Sequence, residues 1–233
     1  ERPSEPAPSV ANRAGAAPTP RIVVIDLPGA GQAAVTAAVR GPRRSDASYY
    51  PLLVANAVMG SGQGGRLFQE IRAKRGLSYG ASSSVGARID GGLLSASTQT
   101  KNESAAEVVA LVLAEFDRLA AEPVADAEVT NRETFINGGF SRALETTGGL
   151  GGVLADAVVF GLPLSEVATY PDRIAATTPD SLRQAAGIVS AEDAIVVVVG
   201  EASEFIDALR AAHPDVVVIP AAELDLNSPT LGL

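Results

Sequence analysis

The spacing of apolar and polar residues divides the chain into short strands and longer helices. Residues 21–26 (RIVVID) form a β-branched run, and residues 32–40 (QAAVTAAVR) alternate after the Pro28-Gly29 turn signal; both read as strands. Residues 48–59 carry apolar side chains at helical spacing, with Pro51 tolerable in a first turn. A glycine-rich break, residues 60–65 (GSGQGG), separates this helix from a second helical stretch at 66–75, where Leu67, Phe68 and Ile71 share a face. Residues 77–88 and 92–100 alternate again on either side of Asp90-Gly91-Gly92, which predicts a β-hairpin. After the hairpin the period is helical. Asn102 is expected to cap a helix to Ala121, and Asp126 another through about Arg142. The glycines at 148–152 start or interrupt a helix that ends near Phe160. Residues 179–189 and 201–212 read as further helices, 194–199 as a buried strand and 215–219 as a last strand.

Hairpin-like strand pairs with helices between them predict an α+β fold. The expected architecture is a two-layer sandwich, with a mostly antiparallel mixed sheet covered by helices on one face. There is no strict strand–helix–strand alternation and no internal repeat. Residues 1–20 are dense in Pro and Ala and read as a linker. Residues 21–233 then make one domain.

Composition narrows the chemistry. A chain of 233 residues can bury roughly 70% of its unfolded surface, so a disulfide or metal is not needed for stability. It has no Cys, which excludes disulfides and thiolate nucleophiles. Aromatics make up only 4% and Trp is absent, so the core is expected to be Ala, Val, Leu and Ile. A net charge of −9 repels phosphate backbones and argues against nucleic acid as a partner. No apolar run approaches the roughly 18 residues of a membrane span, and the N-terminal stretch has no apolar signal-peptide core.

Several catalytic arrangements have no support. The only histidine is His213, followed by Pro214, so neither paired metal-binding histidines nor a Ser-His-Asp triad can be assembled convincingly. The glycine loop (Gly60, Gly62, Gly64, Gly65) precedes a helix, where backbone amides can cradle phosphate. A phosphate loop wants Lys and then Ser or Thr after its last Gly, but Arg66-Leu67 stands there, and the dinucleotide fingerprint wants a preceding strand where here a helix precedes. A hinge-like connection is the better reading.

Residues 66–80 (RLFQEIRAKRGLSYG) are more informative. Arg72 and Tyr79 lie seven residues apart across a predicted helix end, where Gly76 suits the position after the helix. A guanidinium and a phenol on either side of such a bend could both reach one cleft and donate to a peptide carbonyl or a developing oxyanion. The alternative is ordinary: Arg72 solvates a helix face and Tyr79 fills a sheet edge.

At this segment the chain resembles the C-terminal, non-catalytic domain of the insulinase/pitrilysin zinc metallopeptidases. This family includes the mitochondrial processing peptidases and the core subunits of the respiratory cytochrome bc1 complex. The resemblance runs from about Arg21 through Pro28-Gly29-Ala30-Gly31-Gln32, Tyr49-Tyr50, Met59-Gly60-Ser61-Gly62, the run from Arg66 to Arg72, and Arg75-Gly76-Leu77-Ser78-Tyr79. It implies a clamshell partner, a domain or subunit that carries an inverted zinc motif and cleaves peptides with metal-activated water. It also implies that Arg72 and Tyr79 contact the substrate backbone, that Phe68 lines the same pocket, and that the glycine loop handles substrate. The zinc motif His-x-x-Glu-His is absent here. The resemblance therefore implies no cofactor in this chain, zinc in the partner half, and no cleavage by this chain alone. It further suggests the closing part of a longer two-half peptidase or a separate non-catalytic subunit, and export to the periplasm, with a cytoplasmic location as the alternative. A scaffold without proteolytic role, as in the respiratory core subunits, is the alternative.

Overall fold

A computed structural model describes residues 21–228 and Leu231. The linker expected at 1–20 lies outside the described residues. Six strands form one sheet: β1 (Ile22–Asp26), β2 (Ala33–Gly41), β3 (Ala81–Ala87), β4 (Gly92–Thr100), β5 (Ile195–Gly200) and β6 (Val217–Pro220). Their spatial order is β3-β4-β2-β5-β1-β6. The β3/β4, β4/β2 and β2/β5 pairs are antiparallel, and β1 runs parallel to both β5 and β6. This is the mixed, mostly antiparallel α+β sheet that the alternation pattern predicts.

The described residues form seven α-helices: α1 (Tyr49–Gly60), α2 (Ala105–Ala121), α3 (Asp126–Leu144), α4 (Thr147–Val159), α5 (Glu166–Ala175), α6 (Pro179–Ala186) and α7 (Ile206–Ala212). None of them is long and apolar enough to cross a membrane. Alternation along each strand sends every second side chain to the helix side. There Val24, Val35, Leu94, Ala96, Val196 and Val198 meet Leu52, Val58, Val109, Phe116 and Leu182 in the main core. As the composition requires, this core is mostly aliphatic. On the opposite face, near β1 and β6, Val23, Ile25 and Ile219 pack with Ala221, Leu224 and Leu231. Across β2, β3 and β4 that face carries Thr36, Ser82, Ser84, Ser97 and Gln99, all exposed.

Three local readings are corrected by the fold. Asn102 does not cap α2: a short 3₁₀ turn (Asn102–Ser104) leads in, and the buried Asn102 amide donates to Ala30 O (2.7 Å) while its oxygen accepts from Glu201 N (3.1 Å). It ties three distant segments together, a use that helical periodicity does not encode. The cap of α3 is Ala125, and Asp126 stands in the first turn, where its charge suits the helix dipole. The stretch from Phe68 to Ala73 is not α-helical: it is a π-helical segment, closed by Lys74 N donating to Gln69 O at 3.0 Å. Such widened turns are rare and often mark functional sites.

Candidate functional site

The π-helical segment ends at Gly76, which takes a left-handed φ of +67°. Gly76 N donates to Arg72 O (3.1 Å) and Leu77 N reaches back to Ile71 O (3.0 Å), a glycine-terminated helix end that turns the chain sharply towards β3. Arg72 therefore projects from the last helical turn, and Tyr79 stands in the extended loop before β3. The structure brings them together: the Arg72 guanidinium carbon lies 5.7 Å from the centre of the Tyr79 ring, within cation–π range. The Tyr79 side chain is 88% exposed. Among the described residues Arg72 forms no ion pair. Its cationic neighbours do: Lys74 and Arg75 both bond the Glu70 carboxylate, Arg75 at 2.7 Å. The hydrogen bonds from Lys74 and then Arg75 hold the Glu70 carboxyl below its usual range.

At Tyr79 lies a hollow of about 440 Å³, lined by Gln32, Ala34, Thr36, Ser78, Tyr79, Gly80, Ser97, Thr98 and Gln99. The lining carries no charged side chain. Phe68 is half-buried on the π-helical segment, and neither Phe68 nor Arg72 lines this hollow. Amides, hydroxyls and a phenol around an open concavity can exchange hydrogen bonds with a peptide backbone and neutral side chains.

The glycine loop sits apart from this hollow, against α3 and β3. A Cβ on Gly60 would run into the backbone nitrogen of Ser83, and one on Gly65 would stand 2.9 Å from the Gly60 Cα. Gly62 takes a φ of +67°. Arg132 donates to Gly64 O, and Gln69 Nε2 donates to Gln63 O at 2.7 Å. Its glycines thus allow α1 to lie against β3 and the chain to turn tightly, and the loop is fastened at Gln63 and Gly64 where a hinge-like connection is expected. Next to it, Arg66 makes a two-pronged contact with Glu128 (3.3 and 3.1 Å) and lies 3.8 Å from Glu115. Burial pushes the Glu115 carboxyl up, with Arg118 and Arg66 opposing.

No cluster of three or more His, Asp or Glu side chains among the described residues is placed to hold a metal ion. His213 follows the end of α7, in a different hollow with Pro214 and Asp215. Among the described residues, then, no set of side chains fits a catalytic zinc.

The residues to which the sequence reading gives no role are Ser78, Thr98 and Thr100. The one signal for the threonines is that both fall on the otherwise apolar face of β4 shared with Leu94 and Ala96, where a hydroxyl must find a partner.

The comparisons agree with this architecture. The family model described as the peptidase M16 inactive domain matches residues 2–132, more than half of the chain, and the chain belongs to that family. It is 30% identical over 155 residues to an uncharacterized zinc protease of Streptomyces coelicolor, an alignment spanning 66% of this chain and 34% of that protein. The chain thus spans about a third of that relative's length. In structure it is similar to the peptidase M16 inactive domain from Pseudomonas fluorescens, with a TM-score of 0.70 at 24% identity, covering 77% of this chain and 43% of that one. It is also similar to a chain of complex III2 from Candida albicans, with a TM-score of 0.67 at 15% identity, covering 84% and 49%. At these identities both likenesses show the fold alone.

Proposed function

We propose that this domain is the substrate-gripping, non-catalytic half of a zinc metalloendopeptidase. Arg72 and Tyr79 donate hydrogen bonds to the backbone of an extended peptide that a zinc-bearing half of the same family cleaves. The supporting observation is the pairing of an ion-pair-free guanidinium with an almost fully exposed phenol, side by side at the edge of an open, uncharged hollow. Zinc in the partner supplies the activated water, and this chain supplies binding and orientation. Donors fixed in advance at the position of a developing oxyanion act without reorganisation.

The test is reconstitution with a zinc-bearing M16 half and a fluorogenic peptide library. The domain alone is expected to be inactive and the pair active. Arg72→Ala and Tyr79→Phe should each lower kcat/KM by about a hundredfold, the scale of losing one preorganised donor. Wild-type rates for both variants would remove Arg72 and Tyr79 from the grip. The likeness to a complex III2 chain supports a second reading, a scaffold without proteolytic role; no cleavage with any zinc-bearing partner would favour it.

A further inference from the structure

We infer that Ser78 and Thr98, with Thr100, are positioning residues that hold Tyr79 outward. The inference rests on the reading of Tyr79 as a peptide contact, although the pose itself can be tested without it. Strand alternation states the problem. In β3, Ala81 is buried on the helix side and pairs with Thr98, while Ser82 is exposed on the open side. Extending β3 backwards with the same alternation would turn residue 79 towards the helices and residue 78 outward. The structure shows the reverse: Ser78 is 8% exposed and Tyr79 is 88% exposed. The chain leaves the ladder at Gly80 and changes side there.

Side-chain hydroxyls replace the missing ladder bonds. Thr98 Oγ1 donates to Gly80 O at 2.8 Å and lies 2.9 Å from Ser78 Oγ. Ser78 Oγ accepts from Gly80 N at 3.1 Å and contacts Gly80 O at 2.8 Å. Thr100 Oγ1 donates to Leu77 O at 2.6 Å. Thr98 and Thr100 are 7% and 1% exposed, so water cannot readily substitute for these bonds. The two backbone carbonyls that bracket Tyr79, those of Leu77 and Gly80, are thus fastened to β4, and the residue between the anchors is the one left facing out. An apolar isostere at position 98 releases the Gly80 end while leaving the core packed.

The test uses the full chain labelled with 3-fluorotyrosine, whose four tyrosines give four fluorine resonances; Tyr79→Phe assigns one of them. Thr98→Val is expected to shift or broaden the Tyr79 resonance while the other three hold their positions. Thr98→Ser, which keeps the hydroxyl, should restore it, and Ser78→Ala should act in the same direction as Thr98→Val. In the reconstituted peptidase Thr98→Val should lower kcat/KM by about tenfold, with Thr98→Ser recovering most of the loss. An unmoved Tyr79 resonance in Thr98→Val overturns the inference, as does full peptidase activity in Thr98→Val when Tyr79→Phe is impaired. If the resonance moves but Tyr79→Phe cleaves normally, the positioning stands and the reading of Tyr79 as a peptide contact fails.

Discussion

The domain contains two assemblies of arginine and tyrosine, and they are built in opposite ways. In the partly buried space between α1, α3, α4 and α5, Arg44 lies 4.1 Å over the Tyr49 ring and 5.4 Å from that of Tyr50, and the half-exposed Arg173 also stands 5.4 Å from Tyr50. Tyr170 meets Tyr50 edge-on and stacks on Phe140 at 4.2 Å. The Glu166 carboxylate, 5% exposed, pairs with Arg44 at 2.9 Å and Arg173 at 3.6 Å. Burial is the first cause of the raised pKa of both Tyr49 and Tyr170, the latter reaching about 12. In that assembly the guanidinium donors are directed at a carboxylate and the rings at one another. At the edge of the open face, Arg72 and Tyr79 face each other, and both are exposed among the described residues. The same two side-chain types therefore serve cohesion where their bonding capacity is consumed, and recognition where it is left unspent.

The largest expected effect comes from breaking the partly buried assembly. Arg44→Ala leaves a buried carboxylate with one more distant partner, Arg173, and should cost about 3 kcal/mol, the lower end for a broken buried ion pair. For a domain of this size that is a fall in Tm of roughly 10 °C, measurable by calorimetry. Arg72→Ala should leave stability within about 0.5 kcal/mol of the wild type while lowering cleavage. A Tm loss of equal size in both variants would erase the distinction between the two assemblies.

The glycine loop belongs with the cohesive kind. Gly60→Ala places a methyl group against the Ser83 backbone and must move α1 away from β3, an overpacking strain of about 1–3 kcal/mol. Denaturant unfolding would measure it. An alanine tolerated at position 60 without loss would mean that α1 and β3 can separate freely, and would return the loop to the hinge-like reading.

Much of the scaffold is legible in the sequence, because alternation and helical spacing record which side of each element meets the core. The strands at 22–26, 33–41, 92–100 and 195–200 fall where that pattern places them. Arg72 and Tyr79 stand out through residue type, spacing and the glycine between them. What stays hidden depends on contacts far apart in the chain or on a local break of period. Glu166 meets Arg44 across 122 residues, and the helix that carries it, with Pro171 in its interior, is not among the helices read from the sequence. The outward turn of Tyr79 opposes the alternation of the strand it precedes. Periodicity assigns residue 79 to that strand, and only the threonines of a different strand explain where its side chain goes. Sequence patterns report the average environment of an element, whereas the site arises where one segment leaves that average.

The smallest expected effect is at Glu70, whose bonds to Lys74 and Arg75 engage the two cations that follow Arg72 in the chain. Its folded pKa is lower than the ordinary value of 4.5, first through the Lys74 hydrogen bond and then through that of Arg75. A carboxyl with a depressed folded pKa adds stability that is complete above its unfolded pKa and disappears as pH falls through the folded one. The site is largely solvent-screened, so Glu70→Gln should reduce stability at neutral pH by only about 0.5 kcal/mol. The gap between variant and wild type should stay constant down to about pH 5, narrow below the ordinary glutamate value, and close once Glu70 is protonated in the folded state as well. Salt should shrink the gap at neutral pH, because exposed pairs are screened. Urea unfolding midpoints across pH 3–7, at low and high ionic strength, give both dependences. A gap that widens on acidification would show that Glu70 is held by something other than its charge. In that case the freedom of Arg72 would not depend on Glu70 occupying its neighbours.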